Sequence, residues 1–355
     1  MTFLQGIPLS RAFHEQVIEP TMAERFPALP YASALIGPGS EVLGFDTEMS
    51  TDHDWGPRVV LFLREEDRDL TATISRTLAE CAPSRFAGYP VDIGRTGITT
   101  VPRFIERQLG VRIEQAIHPL DWLTFPSQLL AEIVGGAVFR DDPGELRAAR
   151  DALQYYPRDV WLYLMASTWN RIGQEEHLAP RAGYAGDELG SALIGARLVH
   201  DVMSLCFLIE RRYAPYPKWF GTAFRALDCA PRMLPPLQDA LSAKTWRERE
   251  DALCRAYSEL ARLHNGLGVG ERMDEEVSYF FDRPFRVIRG EKFANALGEA
   301  IEDPTLRRLR DRRLLGGIDQ MTDNTDFRLI HLWARTDGAP GGSVLRSLYD
   351  KLLSE

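Results

Sequence analysis

Lysine is scarce in this chain, and the charge balance as a whole argues against one class of partner. Only four lysines stand among the 42 basic residues, against 51 acidic residues, for a formal charge of −9. Because nonspecific nucleic-acid binding depends on neutralising many phosphates with cations, nucleic acid is not an expected partner. The remaining positive charge is arginine, whose planar fork suits bidentate phosphate contacts, although a GC-rich genome explains the same bias.

Cysteine and long apolar runs are also scarce. The four cysteines are widely separated and form no Cys-x-x-Cys, which argues against a zinc knuckle or a disulfide framework; they are Cys81, Cys206, Cys229 and Cys254. No apolar run approaches the ~20 residues that span a bilayer, and the first 20 residues lack the basic and apolar regions of a secretory signal. We therefore predict a cytoplasmic protein without a membrane partner.

The 355 residues exceed the size at which one core usually keeps growing, so two domains are expected. Helix and strand signals alternate up to about residue 140. After Asp141-Asp142-Pro143-Gly144 the patterning is helical for most of its length. The predicted fold class is α+β, with a small mixed α/β domain over residues 1–140 and an α-helical bundle over residues 141–355.

Helices are predicted from apolar periodicity and end signals, with Asp187 as the cap of the longest. The predicted helical ranges are 10–26, 66–81, 159–176, 187–213, 237–241, 247–264 and 293–302.

The stretch GPGSEVLGFDTEMSTDHDWGP, residues 37–57, is the most informative part of the sequence. A Gly39-Ser40 pair follows one apolar run, and Asp52 and Asp54 precede another. On a β-strand the side chains at i and i+2 share a face, so both carboxylates would point to one spot. Oxygen ligands suit Mg²⁺, while a glycine lets phosphate approach the backbone and a serine hydroxyl can bond it.

This pattern resembles the nucleotidyltransferase superfamily that includes the kanamycin nucleotidyltransferases, DNA polymerase beta and the minimal nucleotidyltransferases of bacterial antitoxins. Together with RIGQEEH, GDELGS and YAPYPKW, the segment STDHDWGPR looks more closely like an uncharacterised bacterial family of predicted nucleotidyltransferases, over most of residues 30–230.

The resemblance implies transfer of a nucleotidyl group from an NTP, with ATP the expected donor, to a hydroxyl or amine of a small molecule. Asp52 and Asp54 would then hold one or two Mg²⁺ ions, and Gly39 and Ser40 would seat the β- and γ-phosphates.

Superfamily members often carry a third acidic residue on a neighbouring strand, and two positions could supply it. Asp92 lies in YPVDIG and Glu114 lies in VRIEQAI. We favour Glu114, because Val111, Ile113 and residues 115–117 resemble a core strand. Both positions also fit ordinary solvated acids.

In kanamycin-type enzymes the helical domain closes over the acceptor and supplies the base that deprotonates it. Glu175 and Glu176 are the first candidates, and consecutive helical residues point about 100° apart, so one of them at most would face a cleft. Asp187 and Glu188 are the next candidates. All four also fit surface acids near helix ends.

Lys218 and Trp219 form a second candidate for nucleotide contact. Lys218 follows two prolines and lies among four aromatic residues. A lysine there could meet the triphosphate while an aromatic ring stacks on a base. An aromatic cluster that closes the bundle, with a snorkelling lysine, explains the same residues.

Other functions stay open at this stage. The chain could be a non-catalytic nucleotide-binding regulator or antitoxin-like module, or it could nucleotidylate a protein or an RNA. Arg171-x5-His177 fits the loose pattern of helical ribonuclease toxins, which is short enough to occur by chance. A homodimer is also left open.

Overall fold

The computed structural model describes residues 3–52, 55–113, 116–329 and 344–354, except for the side chain of Asp52. These residues form two compact units. The first contains the described residues up to Ile117, together with Phe125–Gln154 and Leu329, and the second contains His118–Thr124, Tyr155–Arg328 and the described residues from Val344 onwards.

The strands are β1 (Tyr31–Leu35), β2 (Val60–Leu63), β3 (Arg85–Phe86), β4 (Tyr89–Pro90), β5 (Gly97–Thr100), β6 (Ala137–Asp141), β7 (Ser278–Tyr279) and β8 (Arg286–Val287). The α-helices are α1 (Gly6–Phe13), α2 (Glu19–Arg25), α3 (Thr71–Cys81), α4 (Val101–Leu109), α5 (Pro119–Trp122), α6 (Ser127–Val134), α7 (Glu145–Ala152), α8 (Arg158–Glu175), α9 (Leu178–Tyr184), α10 (Glu188–Ile209), α11 (Pro217–Phe224), α12 (Ala230–Ser242), α13 (Trp246–Gly266), α14 (Gly290–Glu299), α15 (Pro304–Arg312), α16 (Ile318–Met321), α17 (Thr325–Arg328) and α18 (Val344–Ser354).

A four-stranded sheet of order β5-β2-β1-β6 organises the first unit. β1 runs antiparallel to both β2 and β6, and β2 runs parallel to β5. Every residue of β1 is buried, as expected for a central strand. One side of the sheet packs against a core drawn from α1, α2 and α3 and the strands; its members are Phe13, Ile18, Met22, Tyr31, Val59, Leu61, Leu63, Ile74 and Leu78.

The boundary between the units falls after Gln154 and not near residue 140. The reason is that Ala137–Asp141 is a strand of the first unit's sheet, with Ala32 paired to Asp141 and Leu35 to Ala137. The short segment His118–Thr124 belongs to the second unit. A single cut at residue 140 therefore misplaces both segments.

The second unit is almost entirely helical, and with the first unit's mixed sheet this confirms the predicted α+β class. The predicted helices at 159–176, 187–213 and 247–264 correspond to α8, α10 and α13. Asp187 caps α10 as predicted, because its carboxylate accepts a hydrogen bond from the Gly190 N–H at 2.7 Å. Leu189, near the start of α10, is exposed.

By length and composition α10 is apolar enough to cross a membrane, with a mean hydropathy of 1.7 over its most apolar stretch. This corrects the expectation that no apolar segment approaches that length. Half of the stretch is buried inside the protein, where Leu198, Val202 and Leu205 are fully buried. A buried core helix has the same composition.

Candidate functional site

The segment between β1 and β2 contains the residues singled out from the sequence, but not in the predicted geometry. Asp52 ends a short 3-10 helix, Glu48–Asp52, and β2 begins only at Val60. The prediction that Asp52 and Asp54 alternate on a strand is therefore wrong for Asp52, because its backbone is helical. Asp54, like the side chain of Asp52, lies outside the described residues.

Gly39 and Ser40 form a tight turn after β1. Gly39 has φ +139°, in the region that favours glycine. The neighbouring N–H groups of Gly37, Val42 and Phe45 donate to backbone carbonyls, whereas those of Gly39 and Ser40 donate to none of the residues that the structure describes. Both residues are partly exposed, and the Ser40 hydroxyl lies 3.4 Å from that of Ser50. Two available N–H groups beside a hydroxyl are suited to an anion.

A buried ion pair between Glu41 and Arg58 holds this turn in place. Arg58 Nη2 lies 2.8 Å from Glu41 Oε1, and the Glu41 side chain is 2% exposed. The same guanidinium donates to the carbonyls of Pro38 at 2.5 Å and Ile36 at 3.5 Å. Because one planar group binds both carbonyls, the Ile36–Gly37 and Pro38–Gly39 peptides are held in one orientation.

A second buried acid, Asp46, holds the other end of the segment. Its Oδ2 accepts from the Gly6 N–H at 2.7 Å and from the indole Nε1 of Trp55 at 3.0 Å. Trp55 directly follows the undescribed residues 53 and 54. Asp46 therefore anchors the chain next to Asp54.

Glu132 is a third buried acid, and it lies near the ion pair between Glu41 and Arg58. Gln128 Nε2 donates to its Oε1 at 2.6 Å. Burial raises the pKa of Glu132, and the charges of Arg58 and Glu41 act on it in opposite directions.

Sequence reasoning missed Glu41, Asp46, Trp55 and Arg58, although all four lie within or directly after the stretch 37–57. A local signal was present, since WGPR follows the two aspartates and acids occur within ten residues of Gly39. Their pairing could not be read from spacing, because Arg58 and Glu41 are 17 residues apart in the chain.

The turn gives a first prediction. A Cβ added at Gly39 would lie 2.5 Å from Glu41 Oε2, and φ +139° is strained for any other residue. Gly39→Val is therefore expected to lower thermal stability as well as any ligand affinity, so it does not isolate binding. Ser40→Ala should weaken phosphate binding with little change in melting temperature. Calorimetry with ATP and thermal unfolding of both variants check this, and an unchanged affinity in Ser40→Ala would contradict it.

Of the two candidates for the third acid, Asp92 is explained by local structure. It caps the 3-10 helix Ile93–Arg95 by accepting from the Gly94 N–H at 2.9 Å. Glu114 lies outside the described residues, and the three residues before it, Val111–Ile113, are irregular where a strand was expected.

Glu175 and Glu176 have different environments at the end of α8. Glu175 Oε2 pairs with Arg197 Nη2 of α10 at 2.9 Å and is partly exposed. Glu176 is buried and accepts from the N–H groups of Ile288 at 2.6 Å and Gly290 at 3.1 Å. Gly290 begins α14, so Glu176 caps that helix from α8.

Burial raises the pKa of Glu176 to about 7, because desolvation of the carboxylate outweighs the two N–H donors. Between about pH 4.5 and 7 the folded protein therefore keeps the Glu176 carboxyl protonated, whereas in the unfolded chain this carboxyl has lost its proton. The contribution of Glu176 to stability is greatest below pH 4.5 and falls as the pH rises to 7.

This environment predicts a structural role for Glu176. At pH 4.5, where the contribution of Glu176 to stability is greatest, Glu176→Gln is expected to lower the free energy of unfolding by about 1–3 kcal/mol, since its NH₂ group would face one of the two N–H donors. The variant should also lose the fall in stability between pH 4.5 and 7. Chemical denaturation across this range is the measurement, and Glu175→Gln is the matched control. Equal stability and an equal pH slope in the two variants would contradict the assignment.

The Asp187 and Glu188 carboxylates likewise bind groups within the helical unit. Asp187 is the α10 cap, and Glu188 accepts from the Trp246 N–H at 3.1 Å and pairs with Arg249 at 3.4 Å. Both contacts position α13 against α10 within the helical unit.

Lys218 and Trp219 lie in the first turn of α11, with Lys218 Nζ 4.9 Å from the centroid of the Trp219 ring. The neighbouring aromatics pack in other directions, because Tyr213 contacts the ring of Tyr155 and Phe220 stacks on His200. Tyr213 and Phe220 therefore pack against rings from two different parts of the chain. Nucleotide contact by Lys218 and Trp219 stays a prediction.

Arg171 and His177 of the ribonuclease-like pattern have separate partners. Arg171 pairs with Asp201 at 2.9 Å and donates to the Gln320 carbonyl at 2.8 Å, whereas His177 stacks on Phe280. Burial lowers the pKa of His177. These contacts give each residue a structural explanation.

Comparison with known proteins finds similarity over part of the chain. Residues 122–220 match the model of a domain of unknown function (DUF4037). A crystal structure of a nucleotidyltransferase-like protein from Exiguobacterium sibiricum 255-15 is similar over 82% of this chain and 89% of that chain, with 12% identity and a TM-score of 0.33. No curated protein matches.

Proposed function

We propose that the protein transfers a nucleotidyl group from an NTP, with ATP the expected donor, to a hydroxyl or amine of a small molecule. The observation that supports this most is the Gly39-Ser40 turn, with its two available N–H groups, its hydroxyl and its buried Arg58 support. The turn occupies the position that the superfamily pattern reserves for the phosphates, ahead of Asp52 and Asp54.

A magnesium ion at a nucleotide usually takes one or two carboxylates and completes its coordination with phosphate oxygens and water. Asp52 and Asp54 are the proposed ligands, because their carboxylate oxygens are the hard donors that Mg²⁺ prefers. When bound, Mg²⁺ would neutralise charge on the triphosphate and on the departing pyrophosphate.

The chain's own groups have defined tasks in this proposal. The N–H groups of Gly39 and Ser40 donate to β- and γ-phosphate oxygens. The acceptor oxygen or nitrogen forms a bond to the α-phosphorus, the bond from that phosphorus to the bridging oxygen breaks, and pyrophosphate leaves with the electron pair. The acceptor proton passes to a carboxylate.

Glu175 is the proposed base, because its carboxylate is partly exposed and held, among the described residues, by Arg197 alone, whereas the Glu176 carboxylate is buried and bound to the backbone of Ile288 and Gly290. Under this proposal Glu175→Gln lowers turnover by roughly 10²-fold and leaves NTP affinity nearly unchanged. Acceptor selection is assigned to the helical unit.

Pyrophosphate release tests the proposal directly. Purified protein is incubated with each of the four NTPs, Mg²⁺ and a panel of hydroxyl and amine acceptors, with intact-protein mass spectrometry of the same reactions. Release that requires both an acceptor and Asp52 supports small-molecule transfer. A nucleotidylated protein would favour a protein acceptor, and tight NTP binding without release would favour a regulator. Cleavage of RNA that His177→Ala abolishes would favour the ribonuclease alternative.

A further inference from the structure

The helical unit contains a cavity of about 170 Å³ between the end of α8, the β7–β8 hairpin and the start of α14. A cavity of roughly 150 Å³ is large enough for a benzene-sized molecule. Phe280 and Val287 give the space apolar walls. Its polar lining consists of Asn170, Gln174, Glu176, His177, Arg289 and Glu291. We call this space the α8–α14 cavity.

Two glycines bring α8 and α14 together beside this cavity. A Cβ added at Gly173 would lie 2.7 Å from the backbone nitrogen of Glu291, and one added at Gly290 would lie 2.7 Å from the backbone nitrogen of Gly173. Asn170 lies one turn before Gly173 on the same face of α8, and His177 follows one turn after it. The close contact therefore places polar side chains from the end of α8 next to the first turn of α14.

Two carboxyl groups line the α8–α14 cavity, and one of them is unpaired. Glu176 is buried and accepts from two backbone N–H groups. The side chain of Glu291 has neither a hydrogen-bond nor an ion-pair partner among the residues that the structure describes. Burial, with a smaller contribution from the charge of Glu291, raises the pKa of Glu176 to about 7. The two carboxyl groups therefore repel each other when both are ionised.

The His177 ring forms a neutral polar part of the cavity wall. Its Nδ1 is buried with no hydrogen-bond partner in the described part of the chain. Burial lowers the pKa of His177, and the charges of Arg181 and Arg283 act in the same direction. The Gly173 carbonyl and the Glu291 carboxylate oppose this shift without reversing it. Neither arginine lines the cavity, and the neutral ring does not repel a cation inside it.

Arg289 also lines the cavity, but its guanidinium group is bound to the β7–β8 hairpin. Its Nε donates to the Ser278 hydroxyl at 3.2 Å, and its Nη2 donates to the Tyr279 carbonyl at 3.1 Å. Neither partner is a carboxylate, and Arg289 forms no ion pair with Glu291. The cavity therefore presents an unpaired carboxylate beside a second carboxyl group.

We propose that the α8–α14 cavity binds a small organic molecule through an ammonium group. An ammonium group has three N–H donors, which match the carboxyl groups of Glu291 and Glu176 and the side-chain amide oxygen of Asn170. Its charge would offset the repulsion between the two carboxylates, whereas an anionic ligand would add to that repulsion. The rest of the molecule would pack against the apolar walls, where the ring of Phe280 also favours a nearby cation.

Ligand-observed NMR with benzylamine tests this, because benzylamine carries an ammonium group on a ring of the size that the cavity holds. Benzyl alcohol is the neutral probe of similar shape, and benzoate is the anionic probe. All titrations are made at neutral pH in EDTA without NTP, so the result does not depend on nucleotidyl transfer. We expect benzylamine to bind about tenfold more tightly than either of the other probes, since hydrogen bonds between charged groups are stronger than neutral ones.

The variant for this test is Glu291→Gln, and the matched control is Glu299→Gln. Both glutamates lie on α14, but Glu299 pairs with Arg310 at 3.2 Å in the last turn of the helix, outside the cavity. Because the formal charge of the chain is −9, a nonspecific attraction for cations would fall equally in both variants.

We expect Glu291→Gln to weaken benzylamine binding by about tenfold and the control to leave it unchanged, with circular dichroism showing both variants folded. Benzylamine binding that is no tighter than benzyl alcohol binding, or that is equal in the two variants, would overturn the proposal.

Discussion

Replacing Asp52 or Asp54 with asparagine is expected to lower nucleotidyl turnover by several orders of magnitude. Each substitution leaves Mg²⁺ with one anionic protein ligand fewer and leaves charge on the triphosphate uncompensated. Asparagine has nearly the same shape as aspartate, so the fold should be retained. The measurement is pyrophosphate release by each variant beside circular dichroism and thermal unfolding.

Asp92→Asn is the matched control for these variants. Asp92 lies in the same unit, but its carboxylate caps a short helix. Its replacement should change turnover by less than twofold. Turnover that survives in both Asp52→Asn and Asp54→Asn would remove these residues from the mechanism.

Arg58→Ala is expected to have the second-largest effect, on stability and on nucleotide binding together. It leaves Glu41 as an uncompensated charge that is 2% exposed, and it releases the carbonyls of Ile36 and Pro38. Breaking one side of a buried ion pair typically costs about 3–5 kcal/mol. Chemical denaturation gives the stability, and calorimetry with ATP at a temperature where the variant is folded gives the affinity.

A second substitution separates the two parts of this prediction. Glu41→Gln removes the buried charge, so Arg58→Ala combined with Glu41→Gln should recover part of the lost stability. The double variant should not recover nucleotide affinity, because the carbonyls beside the turn still lack the hydrogen-bond donors of Arg58. If the double variant binds ATP as well as wild type, Arg58 does not position the turn.

The strongly periodic elements of this fold were predictable from sequence, whereas its long-range pairings were not. The helices α8, α10 and α13 follow from apolar spacing and end signals that are local in the chain. β6 was missed because its register depends on β1, about one hundred residues earlier. The Asp-Asp-Pro-Gly sequence begins at the end of β6 and continues as a bend within the first unit, so it does not separate the units.

The candidate site shows the same difference between local patterns, which were predictable, and long-range contacts, which were not. The glycine-serine turn was predictable, because glycine and serine after an apolar run form a local pattern. The support by Arg58, Glu41 and Asp46 was not, because each contact joins residues that no spacing rule connects. Likewise the sequence left Glu175 and Glu176 equivalent, and only the position of α14 distinguishes them.

The central claim is that the segment from Gly39 to Asp54 binds an NTP together with Mg²⁺. Calorimetric titration of ATP into wild type and into the Asp52→Asn, Asp54→Asn double variant, each with MgCl₂ and with EDTA, tests it most directly. We predict that only wild type with MgCl₂ binds ATP tightly, and that the other three titrations show at least tenfold weaker affinity. Equal affinity in all four titrations would contradict the claim.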